Sequence, residues 1–348
     1  MTADGGGVEV ERLPIEKLFE IENRKLRSAL RRASLSPFYK DRWKAAGVDV
    51  ERLGSVEDLC LLPFVNRKEL FEEIRAKRGR IACSAVNTWF AGSSPTNSYE
   101  WFPFSAGDFL GIAPMLARMS RVVGLQAGDI VLAVVETSPR ISSVIPYLYT
   151  CSEASRSQRL ELITGSLDWY DTLDMTWIEF IQKRRPTVLF TSARNAVALS
   201  DKIYKDLKVR AGEILSNARI GIFFGEPMED YRAEIKDAYS LEAYEVYSPT
   251  ENMSFCSECN VHDGIHLWID ACIPEIIPLD REEAVPILQA PRGTKGELVI
   301  TNFAECFPLI RYKTGESVRI EGAGKCACGR THPRINRLPK AQGAKKKS

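Results

Sequence analysis

Two observations predict an α/β fold: a largely parallel sheet flanked by helices, followed by a smaller β-rich region. Apolar runs of strand length, DIVLAVVE (129–136), PTVLF (186–190), ARIGIFF (218–224) and AYEVY (243–247), alternate with segments of helical period. That alternation calls for crossover connections and hence parallel strands. Beyond Tyr247 the texture changes to short strands between turn residues, HLWID, IPEIIPL, GELVIT and SVRIEG, the mark of a small β subdomain.

Each element follows from its local pattern. Residues 15–46 have apolar positions at near-helical spacing, broken by Ser36-Pro37. Residues 36–72 hold two short helices punctuated by Gly47, Gly54 and Pro63, and Asn66 is placed to cap RKELFEEI. A helix over 106–124 ends at a glycine and precedes the buried strand 129–136. Helices over 174–183 and 193–207 flank the strand 186–190, and a helix near 229–238 joins 218–224 to 243–247. The expected organisation is an N-terminal helical extension (1–35), an α/β core (36–247), a β-rich subdomain (248–337) and a basic tail (338–348).

Composition narrows the function classes. Among 348 residues, 45% hydrophobic and 27% charged, 47 Lys and Arg face 46 Asp and Glu, for a net charge of +1. That balance gives no reason to expect a nucleic-acid partner, and the terminal KKKS reads as a solvated tail. No apolar run has the length of a membrane span, and the first residues lack the basic and apolar regions of a secretory leader, so a cytoplasmic protein without a membrane partner is expected. Disulfides are then not expected among the nine cysteines. Cys60, Cys83, Cys151, Cys272 and Cys306 stand singly and read as small core residues. Hydrolase-elbow, Walker A and dinucleotide-binding glycine motifs are absent in any convincing setting.

Chemistry concentrates in three places. FFGEP (223–227) sets a glycine just past an apolar strand, at the carboxyl edge where open parallel sheets collect ligands. Taken alone, an ordinary strand-to-helix turn explains it. YSPTE (247–251) ends the next strand; its Thr and carboxylate suit a phosphate with Mg²⁺, and Tyr247 suits a base. Cys256, Cys259, His262, His266, Cys326 and Cys328 form the third set, which spacing alone leaves open between a tetrahedral metal site and buried thiols.

Joined to GELVITNF…FPLIRYKTGE (296–316) and CACGRTHPRI (326–335), these blocks resemble the adenylate-forming enzymes of the phenylacetate–CoA ligase type. SPFYKDRW…LGSVEDLCLLPFVNRKEL matches the N-terminal signature of that family, and the likeness covers most of 30–337. It implies the large N-terminal domain of adenylate-forming enzymes and ATP-dependent activation of a carboxylic acid, an aromatic one, to an acyl-adenylate. The acyl group would pass to CoA, a carrier protein or a downstream reductase within a biosynthetic pathway. The resemblance places the adenine turn on Gly225, Glu226 and Pro227, and the Tyr-x-x-Thr-Glu motif on Tyr247, Thr250 and Glu251, with Ser248 beside them. Thr250 and Glu251 take the catalytic positions, Glu251 as the Mg²⁺ ligand. Ser93, Ser94 and Thr96 fall on the phosphate loop. Glu316 takes the ribose position, where most members carry Asp. A structural Zn²⁺ set lands on Cys259, His266, Cys326 and Cys328, with Cys256 and His262 in reserve. His332 reads as a loop residue.

Departures are part of the resemblance. Pro95 interrupts the phosphate loop and removes a backbone donor. Residues 137–162 contain no glycine, which points to an acyl pocket unlike that of a phenylacetate enzyme. The sequence stops shortly after Arg337, where the family continues into a small lysine-bearing domain, so that domain is expected to be absent. Two alternatives therefore stand beside a competent adenylating enzyme: a CoA ligase completed by a separate C-terminal domain, and a non-catalytic nucleotide-binding or assembly homologue. Short acyl-protein synthetases of the luminescence type are further relatives, although the metal reading accounts better for the Cys-x-Cys. A homodimer is compatible with all of these.

Overall fold

The computed structural model describes residues 9–76, 80–93, 99–135, 159–166, 175–249, 251–252 and 254–339. The chain divides into two units, one formed by residues 1–86 and 266–348 and the other by residues 87–265. The first unit begins with α1 (Ile15–Ala33), α2 (Pro37–Ala45), the short β1 (Val65–Asn66) and α3 (Arg67–Ala76). Leu18, Leu26, Ala29, Leu30 and Ala33 make the buried stripe of α1. Pro37 opens α2, where its missing N–H costs no intrahelical bond. Asn66 caps α3 as expected. Its Oδ1 accepts from Glu69 N at 2.9 Å, and the Glu69 carboxylate accepts from Asn66 N at 3.4 Å.

The second unit starts with an antiparallel hairpin, β2 (Thr88–Ser93) and β3 (Tyr99–Phe104), then α4 (Ala106–Val122), β4 (Ile130–Val135) and β5 (Glu161–Ser166). It continues through α5 (Met175–Arg184), β6 (Val188–Ser192), α6 (Ala193–Leu207), α7 (Ala211–Ile214), β7 (Ile220–Phe224), α8 (Arg232–Tyr239), β8 (Glu242–Tyr247) and β9 (Cys256–Ser257). Strands run in the order β5-β4-β6-β7-β8, all parallel, with β9 antiparallel on β8. Val131, Leu132, Ala133 and Val134 are consecutive and all buried, as a strand covered on both faces requires. Leu189, Phe223, Ala196, Leu199, Ile203 and Ile235 belong to the core that the helices and strands enclose.

After β10 (Ile265–His266) the chain re-enters the first unit as β11 (Cys272–Pro278), β12 (Val285–Pro286), β13 (Lys295–Asn302), β14 (Tyr312–Gly322) and β15 (Arg334–Arg337). Their order is β12-β11-β13-β14-β15, antiparallel throughout, and β1 adds to β14 in parallel. A buried ion pair anchors this sheet to the N-terminal segment. The Arg311 guanidinium meets both Glu275 oxygens at 3.0 and 3.1 Å, donates to Leu62 O at 2.7 Å and covers the Phe64 ring at 4.1 Å. Tyr39 Oη donates to Pro308 O at 2.8 Å and accepts from Ile310 N at 3.1 Å.

The mixed α/β class and the principal helices agree with the sequence reading, but four details differ. HLWID is a strand only at its first residue, because the chain turns through Trp268–Cys272. β14 starts at Tyr312, well ahead of SVRIEG, since YKTG already pairs with β13. The hairpin β2–β3 and the strand β5 carry Gly, Ser and Pro, which masked them. Cys60 is exposed and Cys83 half-buried, so only Cys272 and Cys306 of the single cysteines are core residues; Cys151 lies outside the described residues. Among the described residues no helix is long and apolar enough to cross a membrane.

Candidate nucleotide and metal sites

In the second unit β7 and β8 are parallel neighbours, with Phe223 opposite Glu245, so their carboxyl ends open on one edge of the sheet. Gly225 follows β7 at φ +91°, a left-handed conformation that a side chain would strain, and the backbone turns there into Glu226 and Pro227. A short 3-10 turn over Met228–Asp230 then leads to α8. The Glu226 carboxylate lies 3.0 Å from the Arg194 guanidinium on α6. Tyr247 ends β8 with only 4% of its surface exposed, Ser248 is half-buried, and Glu251 is buried at 6%. Gly225, Glu226 and Pro227 therefore share one strand edge with Tyr247, Ser248 and Glu251. This is the carboxyl edge of the parallel sheet, the side on which open α/β sheets collect ligands.

Ser93 ends β2 opposite Tyr99 in the hairpin. Ser94, Pro95, Thr96 and Thr250 lie outside the described residues, as do the tail lysines and most of 137–162. Glu316 belongs to β14 of the first unit, where its carboxylate is 3.3 Å from Arg337 Nη2 and its N–H donates to Thr314 Oγ1 at 3.1 Å. Arg311, the first residue of RYKTGE, is committed to Glu275 and is structural. Nothing in the motif announces this, because the partner lies 36 residues upstream.

The cysteine and histidine set resolves clearly. One ligand atom each from Cys259, His266, Cys326 and Cys328 lie within 4.8 Å of one another. Cys259 comes from the segment leading into β10, His266 from β10, and Cys326 and Cys328 from a turn closed by Gly329 N donating to Cys326 O at 2.8 Å. Nε2 of His266 is 3.5 Å from the Cys328 sulfur. Burial pushes the Cys328 thiol up, but the His266 ring and the Arg330 N–H outweigh it and bring the thiol down to about 5. It is therefore a thiolate at neutral pH, the form in which a cysteine binds metal. The Trp268 indole stacks on the His266 ring, 5.7 Å between centroids and parallel within 1°.

The reserve residues are engaged elsewhere. The Cys256 thiol donates to Ser254 Oγ at 3.4 Å. The His262 ring lies against that of Tyr244, centroids 5.0 Å apart and tilted by 35°, with Nε2 2.6 Å from Glu242 and Nδ1 3.4 Å from Glu258. These contacts hold its imidazolium pKa above the usual value, chiefly through Glu258. His332 lies outside any strand, as expected of a loop residue, yet it is fully buried; its Nδ1 accepts from Ile269 N at 3.1 Å.

No protein-family profile matches the chain. Phenylacetate–coenzyme A ligase of Thermus thermophilus is 24% identical over 347 aligned positions, covering 94% of this chain and 71% of the relative. The protein of that name from Escherichia coli is 23% identical over 331 positions, covering 89% and 69%. Among solved structures, 2-hydroxyisobutyryl-CoA ligase with 2-HIB-AMP in the postadenylation state superposes with a TM-score of 0.80 at 20% identity, covering 96% of this chain and 71% of that one. The superposition establishes a shared fold, and the sequence matches extend over nearly the whole chain. In sequence the chain is similar to the phenylacetate–coenzyme A ligases over nearly its whole length, and it shares its fold with 2-hydroxyisobutyryl-CoA ligase.

Proposed function

We propose that this protein activates a small carboxylic acid, an aromatic one, with ATP to form an acyl-adenylate that is passed on to CoA or to a partner protein. The observation that carries the reading is the common edge of β7 and β8, where Gly225–Glu226–Pro227 follows one strand while Tyr247 ends the other, with Ser248 and the buried Glu251 shortly beyond it. In this reading the turn holds the adenine and Glu316 accepts from the ribose hydroxyls. Ser93, Ser94 and Thr96 line the phosphates, and Thr250 sits at the reacting phosphate. A substrate carboxylate oxygen bonds to the α-phosphorus, the α–β bridging P–O bond breaks, and pyrophosphate leaves with that electron pair. The buried Glu251 carboxylate is the hard oxygen donor that Mg²⁺ takes, and the ion's contribution is to neutralise charge on the departing pyrophosphate. Support comes from the relatives, which are named as ligases for phenylacetate and CoA.

The metal set belongs to the same proposal. Tetrahedral Zn²⁺, with Zn–S near 2.3 Å and Zn–N near 2.0 Å, places its S and N ligand atoms about 3.5 Å apart. That is the separation of the Cys328 sulfur and His266 Nε2. Three cysteines and one histidine fill four positions and leave none open for substrate, so the role is structural.

Pyrophosphate exchange with a panel of aromatic and aliphatic acids tests the reading. Exchange that depends on both an acid and Mg²⁺ is expected. AMP binding with no exchange across the panel would favour the nucleotide-binding homologue instead, and no AMP binding at all would remove the nucleotide site.

A further inference from the structure

Glu245 places a carboxylate on a strand that is otherwise apolar at the level of the core. By strand alternation its side chain shares a face of β8 with Ala243 and Tyr247, and it is only 6% exposed. An acid so buried needs hydrogen-bond donors. One of them is the backbone N–H of Met228, 3.0 Å from Glu245 Oε2. Met228 is the first residue after Gly225–Glu226–Pro227, it opens the 3-10 turn, and it is itself fully buried. A turn's leading N–H groups have no partner within the turn, and here the neighbouring strand supplies one.

The direction of the Glu245 side chain is held from behind. Its N–H donates to Glu258 Oε2 at 2.8 Å, and its C=O accepts from Glu258 N at 3.0 Å. Glu258 is in turn gripped by Arg232, whose Nη2 lies 2.8 and 2.9 Å from its two oxygens, while Nη1 donates to Ala243 O at 2.7 Å. Burial pushes the Glu258 carboxyl up, but His262, Arg232 and the Glu245 N–H outweigh it and leave it below the ordinary range. Arg232 of α8 and Glu258, just past β9, thus fix the backbone of β8 at Glu245, whose carboxylate meets the end of the 225–228 turn.

We propose that Glu245 is a positioning residue: through the Met228 N–H it fixes the backbone of the Gly225–Pro227 turn in the orientation that receives the nucleotide base. This rests on the adenylate-forming reading given above. The acceptor oxygen matters and the charge is secondary, because the partner is a single backbone N–H.

The test compares Glu245→Gln, which keeps an acceptor oxygen, with Glu245→Met, which keeps the length and loses it. AMP affinity is measured by calorimetry, and amide hydrogen exchange is followed at Met228 and across 232–239. In the Met variant AMP affinity is expected to fall about tenfold, with Met228 exchanging at least tenfold faster while 232–239 keeps its protection. The Gln variant should stay within about threefold of the unaltered chain on both readouts. Equal loss in both variants, unchanged Met228 exchange in the Met variant, or general loss of protection across 232–239 would overturn the positioning role. Failure of the unaltered chain to bind AMP would overturn the nucleotide reading itself and this proposal with it, whereas a failure confined to the variants' behaviour leaves that reading standing.

Discussion

Arg311 and Glu22 are two buried charges with opposite fates. The Arg311 guanidinium is matched by Glu275, carbonyl oxygens and a ring face, so the charge is compensated on every side. Removing one partner leaves the other buried and uncompensated. Arg311→Met is expected to destabilise the fold by about 3–5 kcal/mol, and adding Glu275→Leu should recover part of that loss in urea denaturation. Glu22 has the reverse problem: on α1, at 2% exposure, burial and the nearby charges of Asp270 and Glu57 push its pKa up to about 9. A folded pKa above the ordinary 4.5 stabilises the fold most at low pH, and that contribution drains away as pH rises from about 4.5 to about 9, at roughly 1.4 kcal/mol per unit. Glu22→Gln removes this term. Its stability should therefore depend less on pH, and it should exceed the unaltered chain at pH 8 by on the order of 4 kcal/mol more than at pH 5. Neither role was legible in the sequence, because both depend on partners distant along the chain. The proposed metal set was legible only through the family resemblance; spacing left Cys256 and His262 equivalent to the other four until Ser254, Tyr244 and Glu242 were seen to engage them.

Among the elements, legibility followed periodicity. The buried parallel strands and the amphipathic helices announce themselves because burial on fixed faces demands a fixed spacing. The hairpin β2–β3 did not, since TWFAGS and YEWFPF mix aromatics with Gly, Ser and Pro and read as a loop. Gly296 shows a different kind of information carried by a strand. It sits opposite Pro278, where a Cβ would fall 2.1 Å from the backbone oxygen of Ile277. Backbone cannot yield as a side chain can, so β11 and β13 would have to part. Gly296→Ala is expected to cost about 1–3 kcal/mol, read as a fall in Tm, with faster amide exchange along Cys272–Pro278. The opening glycine of GELVIT is thus a packing requirement of the sheet.

For the whole molecule, a structural zinc would contribute folding energy directly. Purified protein is expected to carry about one zinc per chain, and Cys328→Ser or a strong chelator should release it. If this removes about 3 kcal/mol, Tm should fall by roughly 4 °C. Free thiols with no zinc in elemental analysis would refute the assignment. The fold class was readable because strands and helices alternate over 129–247 and give way to short strands beyond Tyr247. The site was readable as motifs, but not as a set of supports such as Glu245 behind Met228.

The division of the chain has a consequence for its synthesis. The first unit is assembled from residues 1–86 and 266–348, with residues 87–265 between them. As the nascent chain leaves the ribosome, α1 and α2 emerge long before Pro308, whose carbonyl receives the Tyr39 hydroxyl in the finished fold. The inserted unit is contiguous and can complete its own sheet first, whereas Lys25 and Arg32 of α1 must wait for the carbonyls of Asp270, Phe303 and Ala304, which are still being translated. Nascent chains stalled once residue 265 has cleared the ribosome should therefore resist protease within 175–249 while being cut within 9–76, and a holdase chaperone should find its binding sites at the amino end.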